Sequence, residues 1–194
     1  MISGIPLAIV LGLVVIAFFF MDFFFMLRYD RERAAGKGWA WDYTLLVAGL
    51  GLMVVLQPVF LPMIGFSTAQ AWGLGVQIIG LVVTLLSFVI HIWSRLHLKK
   101  FYAERVEVQT DHQVIDTGPY GLVRHPLVTS FFMLGTGIFL LAPALTTLIA
   151  MVYVYWDFSR AANQEEALLG ASLPGYRDYM RRVPKFLPGL RKRD

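Results

Sequence analysis

Apolar residues run through this chain in blocks much longer than the alternations of a water-soluble fold. Pro6 to Leu27, Tyr43 to Phe66 and Trp72 to Trp93 are each nearly uninterrupted. Each reaches the roughly 20 residues that a helix needs to cross a ~30 Å hydrocarbon core. A fourth apolar region, Pro126 to Phe158, is too long for one helix and is broken at Ala142-Pro143. Proline there lacks an amide hydrogen and clashes with the preceding turn, which predicts two short helices, 126–141 and 144–158, meeting in a tight hairpin. Helices this short either slant and end in the headgroup layer or dip in and return as a re-entrant pair. The pattern predicts an all-α integral membrane protein with about five transmembrane helices, forming one domain over 1–194.

Polar residues gather between the blocks. The segment 95–125 is a connector in which Val106 to Val108 and Val114-Ile115 look extended, ending in the turn Thr117-Gly118-Pro119-Tyr120. In the tail, 160–194, Asn163 is a good N-cap for a new short helix, and Leu173-Pro174-Gly175 leads into a basic aromatic one.

Composition agrees with lipid: 57% of residues are hydrophobic and 15% charged, with 15 Phe, 8 Tyr and 5 Trp. The chain has no Cys, which excludes a disulfide framework and a thiolate nucleophile. The segment Met1 to Pro6 lacks a basic region and a small-residue cleavage site, so it reads as the start of a retained helix.

Charge fixes the expected orientation. All 17 Lys and Arg residues fall after the first span, between the third and fourth, or after the fifth. The opposite connections hold none, which by the positive-inside rule places the amino terminus outside and the carboxyl terminus in the cytoplasm. The net charge of +4 is therefore membrane sidedness, and no nucleic-acid partner is expected.

Three groups of residues carry possible chemistry. Asp22, His91 and Asp157 lie near the expected cytoplasmic ends of three spans, the last two a helical turn from Arg95 and Arg160. They read as interfacial side chains or as the lining of a polar cavity. The run from Gly118 to Pro126 reads as a turn with interfacial anchors and a proline at a helix start, or as an anion site facing Arg124 and His125. Glu165-Glu166 complements a helix dipole, or holds a cation or ribose diol. His91, His97, His112 and His125 lack metal-ligand spacing, so no metal is expected.

In order and spacing, His112-x-Val114-x-x-Thr117-Gly118-Pro119-Tyr120-x-x-Val123-Arg124-His125-Pro126, Glu165-Glu166, Tyr176-x-x-Tyr179 and Val183-Pro184 resemble the isoprenylcysteine carboxyl methyltransferase family. More loosely, they resemble phospholipid N-methyltransferases. The chain departs from the family at Leu127-Val128, where an aromatic is common, and at Leu173-Pro174-Gly175. The resemblance implies S-adenosylmethionine as cofactor, with S-adenosylhomocysteine as product, bound at the cytoplasmic face by the connector and the carboxyl-terminal helices. His112, Val114, Thr117, Gly118, Pro119, Tyr120, Arg124, His125, Glu165 and Glu166 would line that site, with Arg95, Arg124 and Glu165 in catalysis. The implied acceptor is the carboxylate of a lipophilic isoprenylcysteine-like substrate reached from the bilayer. Membrane lipids would be neighbours, and no obligate protein partner is implied. The alternatives are N-methylation of a phosphatidylethanolamine-type amine, with a glutamate as base, and a non-catalytic scaffold or small transporter.

Overall fold

The computed structural model describes residues 2–25, 27–28, 41–60, 73–98 and 114–189. His112 with the rest of 99–113, residues 61–66 of the second expected span and Trp72 at the start of the third lie outside them. The helices are α1 (Gly4–Phe25), α2 (Trp41–Phe60), α3 (Leu74–Leu98), a 3-10 turn (Gly118–Gly121), α4 (Pro126–Leu141), α5 (Leu145–Ser172) and α6 (Tyr176–Arg182). Two of them, α1 and α3, are long and apolar enough to cross a bilayer, and α4 is apolar but shorter.

Exposure identifies the solvent of these helices. On α1, Ile5, Ile9, Leu13, Ile16 and Phe20 are exposed in succession. Left in water, each such side chain forfeits about 1.5–3 kcal/mol of burial. On α3 the usual amphipathic order is inverted: Gln77, Thr84, Ser87, His91, Ser94 and Arg95 are buried, while Ile78, Val82, Leu85, Val89, Ile92 and Leu96 are exposed. An apolar outside around a polar inside is the arrangement of a protein dissolved in lipid, and the chain is a membrane protein.

Proline sets the boundaries of α4. It begins at Pro126, where a missing amide hydrogen is harmless, and ends at Leu141, two residues before Pro143. The sequence reading fails at Asn163. No new helix starts there, because α5 runs unbroken from Leu145 to Ser172. Asn163 sits inside it with its side-chain oxygen accepting from Lys185 Nζ at 2.6 Å. That bond is made to a residue 22 positions away, so local sequence cannot show it.

The chain divides into two compact units, Met1–Leu85 with Leu134–Tyr153, and Leu86–Met133 with Val154–Asp194. In the first, Leu7 and Leu11 of α1 form a core with Val54 of α2 and Ile138, Leu141 and Ala142. Here α3 and α4 approach at Gly80 and Gly137. A Cβ on Gly80 would stand 2.9 Å from the Gly137 carbonyl oxygen, and one on Gly137 would stand 2.9 Å from that of Gly80. Small residues permit such backbone contact between membrane helices.

The break at Pro143 leaves carbonyls at the end of α4 without helical donors. Two glutamines supply them. Gln77 Nε2 donates to the Leu141 carbonyl and Gln57 Nε2 to that of Ala142, both at 3.2 Å. Gln57 Oε1 in turn accepts from the hydroxyls of Thr146 and Thr147 at 2.8 Å. In a medium without water, these neutral amides satisfy groups that would otherwise cost several kcal/mol.

In the second unit the tail docks through Leu169, Tyr176, Tyr179 and Val183, with Val114, Leu173 and Met180 packed against them. Val114, expected at a ligand, thus contributes to this apolar contact.

Candidate active site

The site begins in the turn before α4. Thr117 is extended and leads into the 3-10 turn, where Tyr120 N donates to the Thr117 carbonyl at 3.1 Å. Gly118 has φ +57°, and a Cβ there would collide with the His97 ring. Backbone conformation and crowding both demand glycine. Pro119 and Tyr120 are buried, and the Tyr120 carbonyl accepts the Tyr179 hydroxyl at 2.7 Å. Burial raises the pKa of Tyr176 and Tyr179 above the ordinary phenol value, so both hydroxyls keep their protons.

The next two residues pair with the tail along the backbone. Arg124 N donates to the Pro184 carbonyl at 2.8 Å and His125 N to that of Lys185 at 3.1 Å. The Thr129 hydroxyl, one turn into α4, donates to the Phe186 carbonyl at 2.8 Å. Segment 183–186 is thereby stitched to the start of α4.

The continuous course of α5 brings the glutamates to the same place. Glu166 Oε1 accepts from Arg124 Nε and from His125 Nε2, both at 2.9 Å, and its Oε2 lies 3.4 Å from Lys185 Nζ. Burial pushes the Glu166 pKa up, but the hydrogen bonds from His125 and Arg124 and their charges outweigh it, holding the group down at about 2. Glu166 is a fixed carboxylate at neutral pH. On its other edge, His125 Nδ1 is 3.6 Å from Glu165 Oε2. The imidazole therefore stands between two adjacent carboxylates of one helix. They differ in access: the Glu166 side chain is 14% exposed and that of Glu165 46%.

Arg124 does more than meet Glu166. Its Nη1 donates to the carbonyls of Met180 and Val183, at 2.7 and 2.6 Å. These belong to the C-terminal turn of α6, where helix carbonyls lack intrahelical donors and the dipole favours a cation.

On α3, His91 and Arg95 are 1% and 2% exposed. His91 Nδ1 lies 3.2 Å from Ser130 Oγ, which gives its own proton to the Leu127 carbonyl at 2.6 Å. The serine must then accept, so Nδ1 carries the hydrogen. The His91 ring meets the Phe131 ring edge-on, with centroids 5.5 Å apart, and Phe131 meets Phe158 at 5.0 Å. Asp157 belongs to the same unit as His91, whereas Asp22 belongs to the first unit.

Of the residues expected from sequence, Arg124, His125, Glu165 and Glu166 are in direct contact, and Thr117 to Tyr120 form the turn feeding them. Lys185, Asn163 and Thr129 were not expected. Thr129 stands one helical turn after His125, a spacing that could have marked it. Among the described residues, no group of three or more His, Asp or Glu is placed to hold a metal ion.

This arrangement defines a class: helical membrane proteins with a histidine and a glutamate pair joined by a carboxyl-terminal strap. Residues 78–171 match the model of the isoprenylcysteine carboxyl methyltransferase family, the family that the order of the motifs resembles. The fold is similar to that of the eukaryotic intramembrane Ras methyltransferase ICMT, with TM-score 0.59 and 22% identity over 95% of this chain and 74% of that one. Two curated relatives bear other names. The nickel-cobalt-cadmium resistance protein NccN of Alcaligenes xylosoxydans xylosoxydans is 31% identical over 40% of this chain and 37% of its own length. The cobalt-zinc-cadmium resistance protein CzcN of Cupriavidus metallidurans is 25% identical over 58% of this chain and 49% of its own. The matches span less than half of either relative.

Proposed function

We propose that this chain is an S-adenosylmethionine-dependent methyltransferase of the membrane that O-methylates the carboxylate of an isoprenylcysteine-like lipophilic acceptor. One observation carries the reading: His125 and the Glu165-Glu166 pair, distant in sequence, meet inside the segment that matches the family, with His125 Nε2 2.9 Å from Glu166 and Nδ1 3.6 Å from Glu165.

The donor set suits the cofactor. Glu165 is a half-exposed carboxylate beside His125, able to accept from an ammonium group or a diol, while Glu166 is ionised and fully occupied in holding His125, Arg124 and Lys185. When bound, S-adenosylmethionine would supply a methyl group on a sulfonium, with a neutral thioether as leaving group. A carboxylate acceptor with a pKa near ~3.5 is already ionised, so no residue need remove a proton. The protein's work is to align the acceptor, exclude water and hold the anion. Arg124 is committed to Glu166 and to the α6 carbonyls, which supports a positioning role for it. Arg95 is then the arginine proposed to face the acceptor carboxylate.

In this reading five helices cross or enter the membrane as one domain, with the amino terminus outside and the site cytoplasmic. The acceptor's prenyl chain arrives from the bilayer and the cofactor from water. The exposure of Glu165 also favours a second reading, N-methylation of a lipid amine with Glu165 as the base. Labelled methyl transfer by the full chain in lipid vesicles separates them. A prenyl thioether acid should be methylated at a rate nearly flat across neutral pH. Methylation of phosphatidylethanolamine alone, with a rate rising through neutrality, would replace the first reading with the second.

A further inference from the structure

Lys185 reaches Glu166 from the tail, beyond the segment that matches the family. Its surroundings set it apart from the other cations of the site. Arg124 spends Nε on Glu166 and Nη1 on two backbone carbonyls, so three of its five N–H groups are committed to fastening the tail. Lys185 Nζ has two partners, Asn163 Oδ1 at 2.6 Å and Glu166 Oε2 at 3.4 Å, for three donor hydrogens. Its Nζ stands over the Phe186 ring, 5.3 Å from the centroid, and its side chain is 21% exposed. The ammonium is therefore held from two sides and still reaches solvent. Its position is fixed further, because its own carbonyl accepts from His125 N at 3.1 Å. A side chain this constrained has already lost most of the freedom that an exposed lysine gives up on binding.

Charge points to the ligand. Glu166 and Glu165 present two carboxylates, and a ligand with an anionic end needs a cation among them that is both near and accessible. We propose that Lys185 is the residue that receives a ligand carboxylate at this site, using the hydrogen left over from Asn163 and Glu166. Resting on the methyltransferase reading, this assignment allows two sources for the carboxylate: the amino-acid end of the cofactor, or the acceptor itself. Glu165 would then meet the cationic or hydroxyl groups of the ligand while Lys185 meets its anion.

The test compares acids with their primary amides, which keep the shape and lose the charge. Calorimetry on the full chain in lipid nanodiscs gives the affinity ratio of S-adenosylhomocysteine to its carboxamide. With S-adenosylhomocysteine saturating, it also gives the ratio of a farnesyl thioether propionic acid to its amide. The wild-type protein should prefer the acid about tenfold or more in one pair, since a charge-assisted hydrogen bond is worth roughly 1.5–3 kcal/mol. K185M should bring that ratio to within about twofold of unity, and K185R should keep most of it. Loss of preference in the first pair assigns the carboxylate to the cofactor; loss in the second assigns it to the acceptor. A lysine that merely fastens the tail would weaken acid and amide alike, leaving the ratio intact. An intact ratio in both pairs, or no acid preference in wild type, overturns the assignment. Absence of saturable S-adenosylhomocysteine binding to wild type rejects the methyltransferase reading itself.

Discussion

The two units solve one problem with different chemistry. In the first, the carbonyls that Pro143 strands at the end of α4 are met by the neutral amides of Gln57 and Gln77. In the second, the carbonyls at the end of α6 are met by the guanidinium of Arg124, itself tied to an ionised Glu166. An amide whose hydrogen bonds are replaced loses little when it leaves water, whereas a charge loses a great deal unless an opposite charge meets it. The first solution suits apolar surroundings; the second requires a partner of opposite sign but couples helix termination to the state of a carboxylate. Charge is used where chemistry is proposed, and neutral hydrogen bonding where only the fold is at stake.

The sharpest way to break this contrast is Glu166→Ala. It strands Arg124, and loss of one member of a buried ion pair costs about 3–5 kcal/mol. Thermal unfolding in detergent should register that loss. Methyl transfer should fall by about a hundredfold or more as the strap loosens and the reacting groups lose alignment. The same interaction has a pH signature. The Glu166 pKa lies at about 2 in the folded protein against an ordinary 4.5, so its stabilisation is complete above pH 4.5 and lost as pH falls towards 2. Protection of the Val183 amide, taken relative to its intrinsic exchange rate, should fall over that window, and Glu166→Gln should remove the pH dependence.

Gln57→Leu examines the other side of the contrast. It leaves the Ala142 carbonyl and two threonine hydroxyls without their partner, at a cost of about 1–3 kcal/mol. S-adenosylhomocysteine affinity should not move, and a large change in it would show that the two units do not act separately. The smallest expected effect is that of Tyr179→Phe. Removing its 2.7 Å hydrogen bond to the Tyr120 carbonyl should cost about 0.5–1.5 kcal/mol in thermal stability.

The sequence was most legible where proline dictated the outcome. Pro126 and Pro143 delimit α4, because a missing amide hydrogen acts locally whatever surrounds it. The Arg-His-Pro run and the glutamate pair were legible as chemistry through their order along the chain. Asn163 misled because helix capping is a local preference, overridden here by a bond to Lys185. Lys185 itself was indistinguishable from the basic residues that mark membrane sidedness. Gln57 and Gln77 looked like lapses in apolar runs, since the carbonyls they serve lie 85 and 64 residues away. The buried polar face of α3 was within reach, for Gln77, Thr84 and His91 recur every seven residues. Of that face, His91 and Arg95 alone are legible as chemistry in the sequence.

The stitching of 124–125 to 183–186 also sets a clock on biogenesis. A ribosome adding about 5–20 residues per second makes Arg124 long before its partner carbonyl. Val183, 59 positions later, follows after roughly 3 to 12 seconds at that pace. By the last seconds of that interval the nascent chain holds both glutamates and α1 to α5, yet still lacks the strap that fastens them. Membrane insertion and assembly of the site are thus separate events in time, and the site closes only once segment 183–186 has left the exit tunnel.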